Sequence, residues 1–258
     1  MQLEGKVAIV TGAGRGIGRA IARRFAAAGA RVVAAGRTAA DGEETVALIA
    51  RAGGEARFIP TDVSQDAAVR ALVAETVRAY GRLDVLVNNA GISGPGKPLD
   101  ETSEAEWDRV IDTNLKGCYL GMRYAIPHLR AAGGGAIVNL SSVLAEHTLP
   151  GCTAYTASKA AIIGLTKATA LEVGRDRIRV NCILPGSTDT PMMWEGLTAA
   201  ERIAIEPEVA NAAPLGTVGR PEEIAEVALF LASDAARFMT GAAIPVDGGL
   251  LTRIATVR

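Results

Sequence analysis

A chain of 258 residues, 49% of them hydrophobic, can bury one substantial core, and α/β domains of this length are commonly single units. Its 27 basic and 28 acidic side chains nearly cancel, which removes the electrostatic case for nucleic acid or a membrane surface as partner. Cys118, Cys152 and Cys182 are an odd, widely spaced set beside two histidines, His128 and His147, so neither a disulfide framework nor a zinc site is expected.

The chain opens Met-Gln-Leu-Glu-Gly-Lys without a secretory apolar segment, and no apolar stretch is long enough to span a bilayer. A cytoplasmic, metal-free protein is the expectation. Residues 6–11, Lys-Val-Ala-Ile-Val-Thr, read as a buried strand. Gly12-Ala13-Gly14-Arg15-Gly16-Ile17-Gly18 follows, and the apolar residues from 16 to 28 then recur at helical spacing. Strand, glycine turn and helix in this order form the context of a dinucleotide fingerprint. The glycines let the backbone approach a pyrophosphate, whose charge sits among the free N–H groups of the helix start. A glycine turn also serves ordinary tight turns, but the flanking elements favour cofactor binding.

The second strand spans 31–36. An acidic residue at the end of this strand commonly accepts hydrogen bonds from the adenosine ribose 2′-hydroxyl. Here the place is held by Gly36, with Arg37 next and Arg15 in the glycine loop. Two guanidiniums suit a 2′-phosphate, which favours NADP(H) over NAD(H). The alternative is two solvated arginines and a site that takes either cofactor.

Further strand-like runs at 56–60, 83–88, 135–140, 178–184 and 242–246 alternate with helical patterns at 41–52, 65–80, 104–130, 153–172 and 221–232. Turn chemistry separates them, as at Gly53-Gly54, Gly133-Gly134-Gly135 and Pro185-Gly186. Glu104 and Glu106 suit the dipole at a helix start, and Pro127 is expected to kink or end that helix after Ala125. The alternation predicts an α/β, Rossmann-like fold over 1–258. Its doubly wound, parallel, seven-stranded sheet carries helices on both faces in three α/β/α layers. Such a sheet binds ligands beyond the carboxyl ends of its strands.

Tyr155 and Lys159 stand four residues apart, one turn along a single face of the helix over 153–172. A free phenol, with a pKa of about 10, is a poor base near neutrality, and a neighbouring ammonium favours the phenolate. Lowering the pKa by roughly three units needs about 4 kcal/mol, more than one neighbour supplies; a cationic cofactor ring is a candidate for the second. A lysine stem covering a surface tyrosine is the alternative. From about 187 to 217 the alternation breaks down, with a short helical pattern near 198–205, as in an active-site lid. Met192, Met193, Trp194 and Leu197 either line the pocket or anchor this lid, and Leu144, Glu146 and Leu149 are expected to form the facing wall.

Gly12-x-x-x-Gly16-x-Gly18, Ser142 and Tyr155-x-x-x-Lys159 occur in order with Asp62-Val63, Asn88-Asn89-Ala90-Gly91, Asn114, Pro185-Gly186 and Asp247-Gly248-Gly249. Together they resemble, from end to end, the short-chain dehydrogenase/reductase family, in its single-domain, 3-oxoacyl reductase-like form. The resemblance implies that Tyr155 is the general acid in carbonyl reduction and the base in alcohol oxidation. Lys159 lowers its pKa and holds the nicotinamide ribose, Ser142 holds the substrate oxygen, and Asn114 fixes a water that relays protons towards Lys159. The cofactor lies along Gly12, Gly14, Arg15, Gly16, Ile17, Gly18, Arg37, Asp62, Val63, Asn89, Ala90, Gly91, Tyr155, Lys159, Pro185, Gly186 and Thr188. Within this set Asp62 faces the adenine and Thr188 the nicotinamide carboxamide.

Read from the residues, Asp62 is equally an N-cap, Asn88 a structural residue of a turn, and Asn114 a side chain bonding backbone at a helix irregularity. Ser141, by alternation, faces away from the site. The expected function is an NADP(H)-dependent oxidoreductase of a small ketone or secondary alcohol, and the resemblance implies a homotetramer. Other readings are a non-catalytic dinucleotide-sensing regulator, a lyase or epimerase, or an NAD(H)-dependent dehydrogenase of a cyclic alcohol or dihydrodiol. For the last, Pro-Gly-Ser-Thr-Asp-Thr is similar to a string in dihydrodiol dehydrogenases.

Overall fold

In the computed structural model, which describes residues 1–252, seven parallel strands form one sheet. They are β1 Val7–Thr11, β2 Arg31–Gly36, β3 Glu55–Pro60, β4 Val85–Asn88, β5 Gly135–Leu140, β6 Ile178–Pro185 and β7 Ala243–Val246, in the order β3-β2-β1-β4-β5-β6-β7. The helices are α1 Gly16–Ala27, α2 Ala39–Arg51, α3 Asp66–Tyr80, α4 Glu104–Ile111, α5 Gly117–Ala131, α6 Thr153–Val173, α7 Ala199–Ala212 and α8 Pro221–Ala232. The Rossmann-like, doubly wound sheet is therefore as expected, and strand order reverses between β1 and β4.

Side-chain alternation explains the three layers. Ala8 and Val10 of β1 pack with Val32, Ala34, Phe25 of α1 and Leu229 of α8 on one face. Ile9, between them, joins Val33, Leu86, Leu72 of α3 and Ile162 of α6 on the other. Phe25 is fully buried, and cutting such a side chain to alanine costs about 3–5 kcal/mol. The edges are blunted: β3 exposes Glu55 and Arg57, and β7 exposes Pro245.

The long pattern over 104–130 is three pieces. Between α4 and α5 a π-helical turn occupies Asp112–Lys116, and α5 runs through Pro127 to Ala131. Pro127 does not end the helix because its missing donor falls on the solvent side: Pro127 and Arg123 are exposed while Ala125 and Leu129 are buried. The same holds for α7, which extends beyond the predicted 198–205 and passes through exposed Pro207. Its start is fastened by a capping box between Thr198 and Glu201. Among the described residues no helix is long and apolar enough to cross a membrane.

Candidate active site

The strand-order reversal places the loop after β1 beside the loop after β4. Gly12 and Gly16 have φ of +65° and +54°, a backbone that side chains other than glycine rarely adopt. At Gly18 a Cβ would stand 2.2 Å from the Gly12 oxygen. Four successive carbonyls, from Thr11 to Gly14, are held from behind. Asn89 Nδ2 donates to Thr11 and Gly12 oxygens at 2.8 and 3.2 Å, Thr45 to Ala13 O at 3.0 Å, and Arg19 to Gly14 O at 2.8 Å. The uncapped first turn of α1 is left to present its N–H groups to the cleft. These residues fit a pyrophosphate. Asn89 lines the cleft, yet its amide serves the loop; Asn88 is structural, donating to buried Asn139 at 2.9 Å.

Beside this loop Arg15 and Arg37 line the cleft, exposed and without an ion pair among the described residues. Asp41, in the first turn of α2, lines it as well, and a Cβ on Gly14 would meet its Cβ at 2.8 Å. The end of β2, where an acidic residue is expected, lies five residues before Asp41, which comes instead from the following helix. Asp62 and Val63 line the cleft too. The Asp62 carboxylate accepts from the backbone N and hydroxyl of Ser64 at 3.0 and 2.8 Å. It fastens its own turn; the N-cap of α3 is Gln65.

Ser142, just beyond β5, and Tyr155 and Lys159, on the first turns of α6, meet in the same cleft. Lys159 Nζ lies 5.5 Å from the Tyr155 ring centroid and donates to the Leu140 carbonyl at 2.8 Å. Ser141, expected to face away, is among the residues lining the cleft, but its hydroxyl turns to α6 and donates to the Lys159 carbonyl at 2.7 Å. Burial lowers the lysine pKa to about 8, against the influence of Cys118 and Cys182. The phenol moves opposite to expectation: burial raises the Tyr155 pKa, although a hydrogen bond with Ser142 pulls it down. The Leu140 carbonyl, rather than the phenol, receives the ammonium, so removal from water outweighs the lysine.

Asn114 is buried in the π-helical turn. Its Oδ1 accepts from Ile92 N at 2.9 Å, while Nδ2 donates to Ile92 O at 3.0 Å and Ser158 Oγ at 3.1 Å. Both amide hydrogens are thus committed to joining the loop after β4 to α6. Gly91 packs over this joint, where a Cβ would stand 3.3 Å from Asn114 Oδ1 and 3.5 Å from Lys159 Nζ. Ala90, Pro185, Gly186 and Thr188 complete the wall. Thr188 Oγ1 donates to the Gly186 oxygen at 3.0 Å.

The segment over 187–217 divides into two groups. Met192 and Met193 line the cleft, whereas Trp194 is buried as an anchor. Asp189 accepts from Trp194 Nε1 at 2.7 Å and from Arg202 at 2.9 Å, and the Arg202 guanidinium stacks 4.7 Å from the indole. Leu197 is exposed. Leu144 and Leu149 also line the cleft, while Glu146 is not among the residues lining it. The cleft has a volume of about 980 Å³.

Residues 12–251 match the family model described as enoyl-(acyl carrier protein) reductase. The chain is 44% identical over 245 residues to cis-4-hydroxycyclohexanecarboxylate dehydrogenase of Sinomonas cyclohexanicum, covering 95% of this chain and 96% of that protein. It is 40% identical over 251 residues to the 3-oxoacyl-(acyl-carrier-protein) reductase FabG of Thermotoga maritima, covering 97% and 100%. The crystal structure of levodione reductase is similar with a TM-score of 0.94 at 34% identity, covering 98% of this chain and 100% of that one.

Proposed function

The chain belongs to the short-chain dehydrogenase/reductase family, and on that footing we propose an NADP(H)-dependent enzyme with Tyr155 as its acid and base. It is an oxidoreductase acting on the CH–OH group with NAD(P), interconverting a ketone and a secondary alcohol. The observation that carries the mechanism is the sharing of one cleft by Ser142, Tyr155, Lys159 and the glycine loop. Gly12, Gly14, Gly16, Ile17 and Gly18 would hold a pyrophosphate, and Arg15 and Arg37 a 2′-phosphate. Asp62 and Val63 would face the adenine; Asn89, Ala90, Gly91, Pro185, Gly186 and Thr188 would flank the nicotinamide half. A bound dinucleotide supplies or takes up the hydride.

In reduction Tyr155 gives its phenolic proton to the substrate oxygen, and a pKa raised by burial keeps that proton in place until it is needed. Ser142 hydrogen-bonds the same oxygen and stabilises charge developing on it. Lys159 holds positive charge beside the phenol, which in oxidation helps Tyr155 take the alcohol proton. Asn114 keeps α6 registered against the loop after β4. Tyr155→Phe tests the scheme: turnover drops by about 10²–10⁴, the range for one general acid, while NADPH binding persists. Comparable turnover in the variant removes Tyr155 from the mechanism.

NAD(H) is the second reading, and Asp41 is the observation in its favour, since its charge opposes a 2′-phosphate. Tighter NADPH than NADH binding supports the first reading; equal or reversed affinities overturn it. The chain is read as one catalytic unit with residues 187–217 as substrate lid, and its three free thiols fit the reducing cytoplasm. Leu171 and Phe238, apolar yet 87% and 102% exposed, support burial between copies in a homotetramer, which light scattering tests.

A further inference from the structure

The charges lining the cleft are unevenly distributed. Arg15 and Arg37 stand beside the glycine loop and the end of β2, and Lys159 has committed its ammonium to Leu140. In the half that holds Tyr155 the lining includes the apolar Leu144, Leu149, Met192, Met193 and Val209, with Ser93, Thr148 and Cys152 among them. In this half no lysine or arginine among the described residues lines the cleft apart from Lys159. What does line it is a carboxylate, Glu208 of α7, exposed at the rim and with no hydrogen bond or ion pair among the described residues. Val209 and Ala212 of the same helix line the cleft beside it. His147, from the loop after Ser142, is exposed and also lines the cleft.

An anionic substrate group would enter this half with no free cation to receive it and with a like charge beside it, a repulsion that solvent and salt at the rim only partly screen. We propose that Glu208 sets the charge selectivity of the substrate site. The substrate is then a hydrophobic alcohol or ketone that carries no anion. The end remote from its reacting oxygen presents an ammonium or a hydrogen-bond donor to this carboxylate. The inference rests on the oxidoreductase reading for which end of the substrate reacts, but the sign of the charge can be tested without turnover.

The probes are 4-hydroxycyclohexanecarboxylate, its carboxamide, and 4-(aminomethyl)cyclohexanol, titrated calorimetrically into the full-length protein loaded with NADP⁺. Expected is an affinity order of amine, amide, then carboxylate, with at least tenfold between the extremes, shrinking as salt screens the exposed charge. Glu208→Gln should narrow that ratio by roughly tenfold, partly through tighter carboxylate binding, a gain that misfolding cannot produce. His147→Ala, run in parallel, should leave the order standing. A carboxylate bound as tightly as the amine overturns the proposal. So does an E208Q ratio equal to that of the parent protein, an order that depends on His147, or failure of all three probes to bind. Absence of turnover across a wide panel of ketones and alcohols, with the affinity order intact, would sink the oxidoreductase reading alone.

Discussion

Ser141 and Lys159 are joined at 2.7 Å, serine hydroxyl to lysine carbonyl. The lysine ammonium reaches back 2.8 Å to the carbonyl of Leu140, the residue before that serine. Three consecutive residues at the end of β5 therefore address the same turn of α6: Leu140 and Ser141 grip Lys159 at both ends, and Ser142 meets Tyr155. Ser141 is a positioning residue by this geometry, since it touches α6 backbone rather than the cleft-facing phenol.

Ser141→Ala removes a buried hydrogen bond. Such a bond contributes about 1 kcal/mol net, so urea unfolding should show a loss of that order. If Ser141 also sets the register of Lys159, kcat falls several-fold and the basic limb of the pH–rate profile moves, while NADPH affinity is kept. An unchanged profile reduces Ser141 to a stabilising contact.

The pH dependence of stability follows from Lys159. Its folded pKa of about 8 lies below its ordinary value, so between the two the unfolded chain binds more protons than the folded one. Stability contributed by this group therefore rises with pH across that window, on the order of 3 kcal/mol in all. Below it the buried charge is a constant cost. Lys159→Met should remove the rise, and denaturant midpoints from pH 7.5 to 10.5 for both proteins check it. Parallel curves would show that the lysine is not desolvated.

Arg15→Ala with Arg37→Ala should weaken NADPH binding by one to two orders of magnitude, since hydrogen bonds to charged groups contribute about 1.5–3 kcal/mol, and leave NADH nearly unaffected. Asp41→Asn should act the other way and tighten NADPH. Equal losses for both cofactors in the arginine variant would mean that the guanidiniums serve only the shared phosphates.

Arg202→Ala removes one partner of Asp189 and the cation stacked on Trp194. The lid should loosen while the catalytic residues stay in place, so KM for the substrate rises about tenfold with kcat little changed, consistent with roughly 1–2 kcal/mol for a stacked guanidinium. Steady-state kinetics on any confirmed substrate read this directly. A fall in kcat at constant KM would contradict it.

Local regularities were legible before any coordinates. The apolar run of β1, the glycines that follow it, and the four-residue interval from Tyr155 to Lys159 each depend on neighbours in the chain. Pro127 does not end its helix as the chain leads one to expect, for the complementary reason: a proline's effect on a helix depends on whether the freed carbonyl meets water, and that is a property of the packed molecule. Nothing in its own segment marks Asp41 as a cleft residue. Asn89 turns its amide to the Gly12 carbonyl, whereas Asn114 bonds the Ile92 backbone at a helix irregularity, one of the two roles its place in the chain suggests.

By itself the sequence determined the strand–helix rhythm, hence the parallel sheet, and the types of chemical group gathered at its carboxyl edge. Periodicity and local turn preference act over a few residues, so they can be read in order along the chain. Only the tertiary structure decided what each group is bonded to: the lysine to Leu140, the phenol raised by burial, Trp194 turned into an anchor, Glu208 at the rim. Hydrogen bonds and desolvation act across distances of a few ångströms between segments far apart in sequence, and folding alone brings those segments together.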